Sequence, residues 1–269
     1  MRADLVPDDL WERVAPLLPP APERRHRYPG RLRVPDRTAL AGVLYVLRTG
    51  VAWRDVPAET VGCSGVTAWR RLRDWTEAGV WPRLHAALLG ELRRADLLDL
   101  DDSAVDGSHI RALKRGDHVG PSPVDRARPG SKHHLIVDRH GIPLAVTLTG
   151  GNRHDITQLI PLLDAVPPVR GLRGRPRRKP RRLYADRGYD FDKYRRLLWK
   201  RGIKPMIARR GIAHGSGLGK VRWVVERAFA WLHQFKRLRI RYERRADLHQ
   251  GLLELACSLI CLRRLRTSF

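Results

Sequence analysis

Three acidic residues lie in sequence contexts that can bring their carboxylates together. Asp106 and Asp186 each follow a short apolar stretch with strand character, and Glu226 lies in a predicted helical run over residues 219–235. Two carboxylates on strands and one on a helix can hold a pair of divalent cations over a phosphodiester, which is cut by in-line attack. Hard cations such as Mg²⁺ prefer carboxylate oxygens, so this chemistry needs no thiol or histidine cluster.

The helix that carries Glu226 has two distinct faces. At about 100° per residue, one stripe about 60° wide contains Gly219, Arg222, Glu226 and His233. A separate apolar sector contains Val221, Val224, Ala228, Leu232 and Phe235. The pattern predicts that the apolar sector packs against the protein while Arg, Glu and His are presented on the other side.

Structural interpretations compete with this one. A strand aspartate commonly forms a cap or turn, and Glu226 alone would be a solvent-facing residue with i, i+4 contacts. Asp155 is predicted to cap a helix that starts at Ile156. Four aspartates lack a matching partner and are interpreted as structural: Asp101, Asp102, Asp138 and Asp190. Four histidines could contact phosphate or be ordinary surface residues: His109, His133, His134 and His154.

Residues 1–95 predict helices only. The expected segments are 8–18, 37–48, a turn at 53–56, 65–77 and 81–95, chosen from apolar stripes and the break at Gly50. The segments 37–48 and 65–77 predict a helix-turn-helix unit. The second helix carries Arg70, Arg71 and Arg73 on its polar face, where a major-groove recognition helix places its basic residues. A basic, solvated helix in a three-helix bundle is the alternative.

The pattern changes near residue 101 to period two and short apolar runs. Strands are expected at 103–109, 133–138, 142–149, 182–185 and 204–208, and helices at 156–166, 191–201, around Glu226 and at 248–264. This order predicts a ribonuclease H-like α/β fold for residues 96–269, with a mixed sheet flanked by helices. In that fold the fourth strand lies beside the first, which brings Asp106 and Asp186 together.

The charge of the chain points to a polyanionic partner. The 269 residues include 53 Lys and Arg against 28 Asp and Glu, for a formal net charge of +25. Arginine suits bidentate phosphate contacts, although a GC-rich genome would equally explain its abundance. No apolar run approaches about 18 residues and the start lacks a signal-peptide core. These features predict a cytoplasmic, nucleoid-associated protein without a membrane partner.

Two further features concern basic and cysteine residues. Residues 170–182 hold eight basic residues. They are interpreted as an arm along DNA phosphates on the active-site side of the sheet, in preference to a solvated loop.

Cys63, Cys257 and Cys261 cannot form a disulfide framework. Cys257 and Cys261 are spaced i, i+4, and they are interpreted as core packing because no second metal-binding pair follows.

Motifs in three parts of the chain belong together. The first part has Val51-Ala-Trp-Arg-Asp-Val-Pro, Val66-Thr-Ala-Trp-Arg-Arg-Leu-Arg-Asp-Trp and Gly79-Val-Trp. The second has Val105-Asp-Gly-Ser-His, Gly130-Ser-Lys-His-His and Gly151-Asn-Arg-His-Asp. The third has Ala185-Asp-Arg-Gly-Tyr-Asp, Val225-Glu-Arg-Ala-Phe-Ala-Trp-Leu and Arg241-Tyr-Glu-Arg. Together they resemble the DDE transposases of bacterial insertion sequences, most closely the insertion-sequence-5 family, over nearly the whole chain.

The resemblance implies roles for individual residues. Asp106, Asp186 and Glu226 match the acids that bind two Mg²⁺ ions, for which Mn²⁺ can substitute. Arg222 matches the arginine four positions before the glutamate. A related signature has tyrosine and lysine where this chain has Gly219 and His233, and Lys236 follows one turn later. Contacts with DNA are therefore expected from Arg222, His233 and Lys236.

The resemblance also implies an activity. It is metal-dependent cleavage at the ends of an insertion sequence, followed by strand transfer into target DNA at the same site. The expected partners are double-stranded DNA, as terminal inverted repeats and target, and a homodimer or higher assembly on that DNA. Two other classes remain open: a non-catalytic DNA-binding regulator derived from a transposase, and a basic RNA-binding or ribosome-associated protein, although paired strand aromatics for RNA are absent from the sequence.

Overall fold

The structure is a computed structural model that describes residues 5–23, 26–27, 31–211, 217 and 219–267. Over these residues the chain forms α1 (Asp8–Val14), α2 (Asp36–Thr49), α3 (Ala58–Val61), α4 (Gly65–Glu77), α5 (Val80–Arg94), β1 (Asp102–Ala112), β2 (Gly120–Pro121), β3 (Pro129–Asp138), β4 (Pro143–Gly150), α6 (Leu159–Asp164), β5 (Arg182–Ala185), α7 (Asp192–Lys200), β6 (Lys204–Ile207), α8 (Gly219–Leu232), β7 (Ile240–Arg241) and α9 (Ala246–Arg266).

One mixed sheet organises the chain from β1 onward. Its main strands lie in the order β4-β3-β1-β5-β6. The pairs β1–β3 and β3–β4 are antiparallel, whereas β1–β5 and β5–β6 are parallel. The short strands β2 and β7 extend the sheet beside the ends of β3 and β1. This topology confirms the predicted ribonuclease H-like α/β fold.

The region before the sheet is helical, as predicted. The helix α4 has the predicted bounds, since Ser64 caps its start by accepting the Thr67 N–H. The first helix is shorter than predicted because Pro16, which lacks an N–H, lies in a 3-10 turn that ends it. Helices α2 and α4 pack together. The connection between them contains a second 3-10 turn, Trp53–Asp55, where the sequence predicts a turn at 53–56, and also the short helix α3, which the sequence does not predict.

Helix α9 joins the helical region to the sheet. It packs against α5, α4, β4 and α8, and most of its side chains are buried. Cys257 and Cys261 lie fully buried on it, which confirms that they pack in the core. The buried hydrophobic residues form one cluster from the first helix to the last, so the division into residues 1–95 and 96–269 stays a prediction. No helix within the described ranges is long and apolar enough to cross a membrane.

A buried ion pair also crosses this junction. The Arg237 guanidinium contacts the Glu243 carboxylate at 2.6 Å, and both side chains are less than 5% exposed. Arg237 also donates to the Val51 carbonyl at 3.0 Å, just beyond the end of α2. Burial raises the pKa of Glu243, but the hydrogen bond from His249 and the charge of Arg237 more than offset that effect and hold it at about 2.

We expect Glu243→Gln to lower the free energy of unfolding by about 3–5 kcal/mol, because it leaves the Arg237 charge buried and unpaired. The pKa of Glu243 lies below its ordinary 4.5. The contribution of the ionised Glu243 carboxylate to the free energy of unfolding is therefore complete above about pH 4.5 and is lost as the pH falls toward 2. Urea unfolding between pH 3 and 7 measures this dependence. The exposed pair of Glu77 with Arg245 is the control, and Glu77→Gln should cost less than about 1 kcal/mol. Equal losses for both variants would contradict the prediction.

Candidate active site

Two of the predicted acids meet where β5 ends beside β1. The parallel register pairs Ala104 with Tyr184, and Asp106 and Asp186 each lie two residues further along. Because strand side chains alternate with period two, both aspartates project to the same face of the sheet. Asp186 is extended and begins the 3-10 turn that ends at Tyr189. The prediction that β1 and β5 bring these residues together is confirmed.

Helix α8 approaches the same face. Its predicted apolar sector packs inward, with Val224, Ala228 and Leu232 buried. Arg222 donates one hydrogen bond to Asp106 Oδ2 at 3.1 Å and another to Glu226 Oε1 at 3.0 Å. The guanidinium therefore bridges a strand carboxylate and a helix carboxylate. The Glu226 side chain is 59% exposed, so its other oxygen faces solvent or a ligand.

The environment of Asp106 is unfavourable for its charge, and Asp186 beside it holds an unpaired oxygen. Burial raises the pKa of Asp106 to about 6, although the Gly107 N–H and the Arg222 charge act in the opposite direction, and the charges of Asp186 and Asp155 raise it further. The Asp186 Oδ1 atom is buried and has no hydrogen-bond partner. An unpaired buried acceptor costs about 1–3 kcal/mol. Burial also raises the pKa of the neighbouring Tyr189 well above 10.0, so its phenol stays protonated.

These residues fit a hard divalent cation in their chemistry. The donors are carboxylate oxygens, and the unpaired Asp186 Oδ1 is an acceptor that a cation would satisfy. In the described part of the chain, no three His, Cys, Asp or Glu side chains are grouped closely enough to hold one ion. Arg222 lies between Asp106 and Glu226 and offsets one of their two negative charges through one oxygen of each. A cation at these carboxylates would compete with Arg222 for them.

A further carboxylate reaches β1 from the other face of the sheet. Asp155 Oδ1 lies so close to Gly107 that a Cβ there would be 2.9 Å away, so a larger residue at that position would have to displace the Asp155 carboxylate. Asp155 accepts a hydrogen bond at 2.9 Å from Lys132, which is 5% exposed. The prediction that Asp155 caps the next helix is wrong, since the His154 side chain accepts the Ile156 N–H. The motif from Gly151 to Asp155 is the sequence signal that could have indicated this position.

The other aspartates and histidines have local partners. Three of the four aspartates interpreted as structural pair with arginines: Asp101 with Arg177, Asp102 with Arg182 and Asp190 with Arg195. The fourth, Asp138, accepts backbone N–H groups of Asp99, His140 and Ile142. Three histidines pair with neighbouring side chains: His109 with Ser122, His133 with His249 and His134 with Thr149. The structural interpretation of the aspartates is confirmed.

The three arginines predicted on the recognition helix differ in exposure and in their side-chain partners. Arg70 is exposed. Arg71 instead donates to Asp36 at 2.9 Å, which fixes α4 to α2. Arg73 donates to Asp74 at 2.7 Å. Within the described residues, Arg70 is therefore the member of this set that α4 presents without an acidic partner, while DNA contacts by Arg71 and Arg73 would compete with these ion pairs.

His233 and Lys236, the two predicted DNA contacts beyond Glu226, also differ in exposure. Lys236 is exposed. The His233 imidazole lies against Phe229 and His133, with ring centroids 6.0 and 6.1 Å apart, and its Nε2 atom is buried without a partner. The structure therefore does not bring His233 together with Arg222 and Glu226, because its ring turns toward the sheet. The helical wheel places its Cα correctly but carries no information on side-chain direction.

The basic segment 170–182 leads into the first residue of β5, Arg182. Asp186 comes directly after the last residue of that strand. The segment precedes β5 and Asp186 follows it, so the two lie at opposite ends of this strand. The expectation that the segment enters on the active-site side of the sheet is therefore wrong.

We expect Asp106→Asn to stabilise the cation-free protein. The pKa of Asp106 is raised from its ordinary 3.8 to about 6, so ionisation costs the folded state stability as the pH rises from 3.8 through 6. Asparagine does not ionise, and the gain at pH 8 should be about 2–3 kcal/mol. Urea unfolding in EDTA measures it, and the gain should vanish below pH 4. The exposed Asp192→Asn is the control. Lower stability of Asp106→Asn at pH 8 would refute this expectation.

Two family descriptions match the chain. Residues 98–261 match "Transposase DDE domain", and residues 6–85 match "Putative transposase of IS4/5 family". Among curated proteins, the "Putative transposase for insertion sequence element IS402" of Burkholderia cepacia is 64% identical over 148 residues, which are 55% of this chain and 70% of that protein. The "Transposase for insertion sequence element IS1106" of Neisseria meningitidis serogroup B is 29% identical over 127 residues, 44% of this chain and 39% of that protein.

Solved structures are more distant. The crystal structure of the Mos1 strand transfer complex aligns with a TM-score of 0.32 and 15% identity, over 91% of this chain and 81% of that chain. The fold assignment therefore rests on the order and directions of the strands. The match to the DDE domain spans more than half of the 269 residues, and the chain belongs to the transposase DDE-domain family.

Proposed function

We propose that this transposase cuts DNA at the ends of an insertion sequence and joins the freed 3′ ends to target DNA, with Asp106, Asp186 and Glu226 as its catalytic residues. The observation that carries the proposal is the convergence of β1, β5 and α8. It places Asp106 beside Asp186 and links Asp106 to Glu226 through Arg222. The membership of the DDE family supports this assignment.

The same three carboxylates would hold two Mg²⁺ ions, or Mn²⁺ in their place. Such ions, when bound, activate the attacking oxygen and stabilise the leaving oxygen of an in-line displacement. Burial of Asp106 keeps the region around it poorly solvated, which strengthens electrostatic interactions there. Arg222 partly neutralises the acids in the absence of a ligand, and on release it can pair with a DNA phosphate. The protonated Tyr189 phenol can donate a hydrogen bond but not act as a base.

DNA contacts are proposed for the exposed cations near these elements. Arg70 on α4 and Lys236 after α8 are free to meet phosphate, and Arg222 is close to the acids. Residues 1–95 would act as the helix-turn-helix DNA-binding region and residues 96–269 as the catalytic region. Because the reaction joins two element ends, a homodimer or higher assembly on DNA is proposed, acting in the bacterial cytoplasm at the nucleoid.

The first test is cleavage of a labelled duplex that carries the element's own end, with Mg²⁺ or Mn²⁺ and with EDTA. Asp106→Asn, Asp186→Asn and Glu226→Gln should each reduce cleavage at least about 1,000-fold, because each removes an anionic oxygen that the cations need. Binding of the same duplex should be retained. Asp164→Asn, an exposed acid paired with Arg201, is the control and should cleave normally. Binding without cleavage by the wild type would instead favour a non-catalytic regulator.

A second test concerns Asp155 and Lys132. Because Asp155 lies against Gly107, next to Asp106, and holds the buried Lys132, Asp155→Asn and Lys132→Met should each lower cleavage about 10- to 100-fold, the size of effect that residues supporting metal ligands have. If Asp155 acts through Lys132, the double variant should lose no more than the worse single variant. Single-turnover cleavage rates at saturating protein measure this. Fully additive losses would show that the two residues act independently.

A further inference from the structure

The basic segment 170–182 supplies most of the lining of a groove of about 800 Å³, which Pro168 and Gly202 complete. Its lining cations are Arg170, Arg175, Arg177, Arg178, Lys179 and Arg181. We propose that this groove binds the phosphodiester backbone of duplex DNA at a position remote from the phosphate that is cut. The proposal rests on the proposed function and adds a second DNA-binding surface to it.

The groove lies where the parallel strands β5 and β6 begin, at the opposite end of β5 from Asp186. Its lining includes Arg181, just before β5, and Gly202, just before β6. These strands run parallel, so both residues lie at the edge where the strands begin. Asp186 follows the other end of β5, and the four residues of that strand span about 13 Å at about 3.3 Å per residue. A phosphate in the groove is therefore not the phosphate at Asp186.

The segment is held in place by its own backbone and by α5. Val169 and Arg177 exchange two backbone hydrogen bonds, at 2.8 and 3.2 Å. Gly171 has φ of +114°, and a Cβ there would be 2.3 Å from the Gly90 carbonyl oxygen of α5. Arg93 of α5 donates to the Val169 carbonyl at 2.5 Å. The groove is therefore preformed, which lowers the entropy that a ligand must lose on binding.

Its charge is largely uncompensated. Asp101 contacts Arg177 and Arg181. The side chains of Arg170, Arg175 and Arg178 are exposed, and none has a hydrogen-bond or ion-pair partner in the described part of the chain. Neighbouring cations repel one another, and a chain of phosphates removes this repulsion while it fills the guanidinium forks.

The lining also indicates how DNA would be recognised. Besides the cations it consists of Pro168, Pro176, Pro180 and Gly202. None of these residues offers an aromatic face for an unpaired base or a side-chain acceptor for a base edge. Contacts with phosphates alone carry no sequence information. The groove therefore suits the backbone of any duplex, and its contacts with phosphates add affinity without adding sequence preference.

The test is binding of a duplex of unrelated sequence to the full chain, measured by fluorescence anisotropy from about 50 to about 300 mM NaCl without divalent cations. The variant with Arg170, Arg175 and Arg178 all changed to Ala should bind at least about 10-fold more weakly at low salt. Its slope of log K against log salt should be smaller by about 2–3, at about 0.9 per phosphate contact. The corresponding Lys variant should keep most of the slope. Thermal unfolding checks that each variant is folded.

A matched variant replaces three exposed arginines outside both the groove and residues 1–95, Arg115, Arg126 and Arg196, with Ala. It should keep the wild-type slope. An equal loss in this control would overturn the proposal, because net charge alone would explain the result. An unchanged slope in the groove variant would also overturn it, as would tighter competition by duplex RNA than by duplex DNA.

A separate assay distinguishes this proposal from the proposed function. The groove variant should cleave a short duplex, which ends a few base pairs beyond the cut, at the wild-type rate under saturating protein. If the wild type does not cleave, the proposed function fails, but the salt slopes still test the groove. If the wild type cleaves and the groove variant keeps its slope, only the groove proposal fails.

Discussion

The burial of carboxylates gathered at one end of the sheet, together with their mutual repulsion, is the constraint on which the rest of this structure depends. Asp106 and Asp186 project from adjacent strands into a partly buried region, and the charge of Asp186 raises the cost of charging Asp106. The Arg222 guanidinium, shared with Glu226, offsets part of that cost. One acceptor, Asp186 Oδ1, remains buried and unpaired. A site of this kind is less stable than an apolar one would be, as active sites often are.

The stability has to come from elsewhere in the chain, and α9 is the main source. It is buried by the sheet on one side and by α5 and α4 on others, so one apolar core serves both the helical region and the strands. The Arg237–Glu243 pair adds a polar connection across the same junction. A buried pair of this kind contributes little net stability, but it fixes how the end of α2 meets the segment after α8. The orientation of α4 relative to the carboxylates is therefore set by shared packing.

The elements that can be predicted to the residue have strong local signals. Helix α4 begins after the Ser64 cap, and β5 ends in the apolar run Leu183-Tyr-Ala that leads to Asp186. The strands β2 and β7 and the helix α3 are too short to show a period, so the sequence does not predict them. The contacts of the site are less predictable. Arg222 and Asp106 are 116 positions apart, and no local pattern indicates that one guanidinium bridges two acids. Likewise, the pairing of Arg71 with Asp36 depends on how two helices cross.

The distribution of charge over the two edges of the sheet has a consequence for recognition. The edge at Asp186 gathers acids that arginine partly neutralises, whereas the edge before β5 gathers arginines that, among the described residues, mostly lack acidic partners. A preformed cationic groove strengthens binding to element ends and to unrelated DNA by the same factor, because phosphates are the same in both. The groove therefore cannot improve the ratio between the affinity for element ends and the affinity for unrelated DNA. Discrimination must then come from groups that read base edges, and α4 with its exposed Arg70 is the element that we propose for that task.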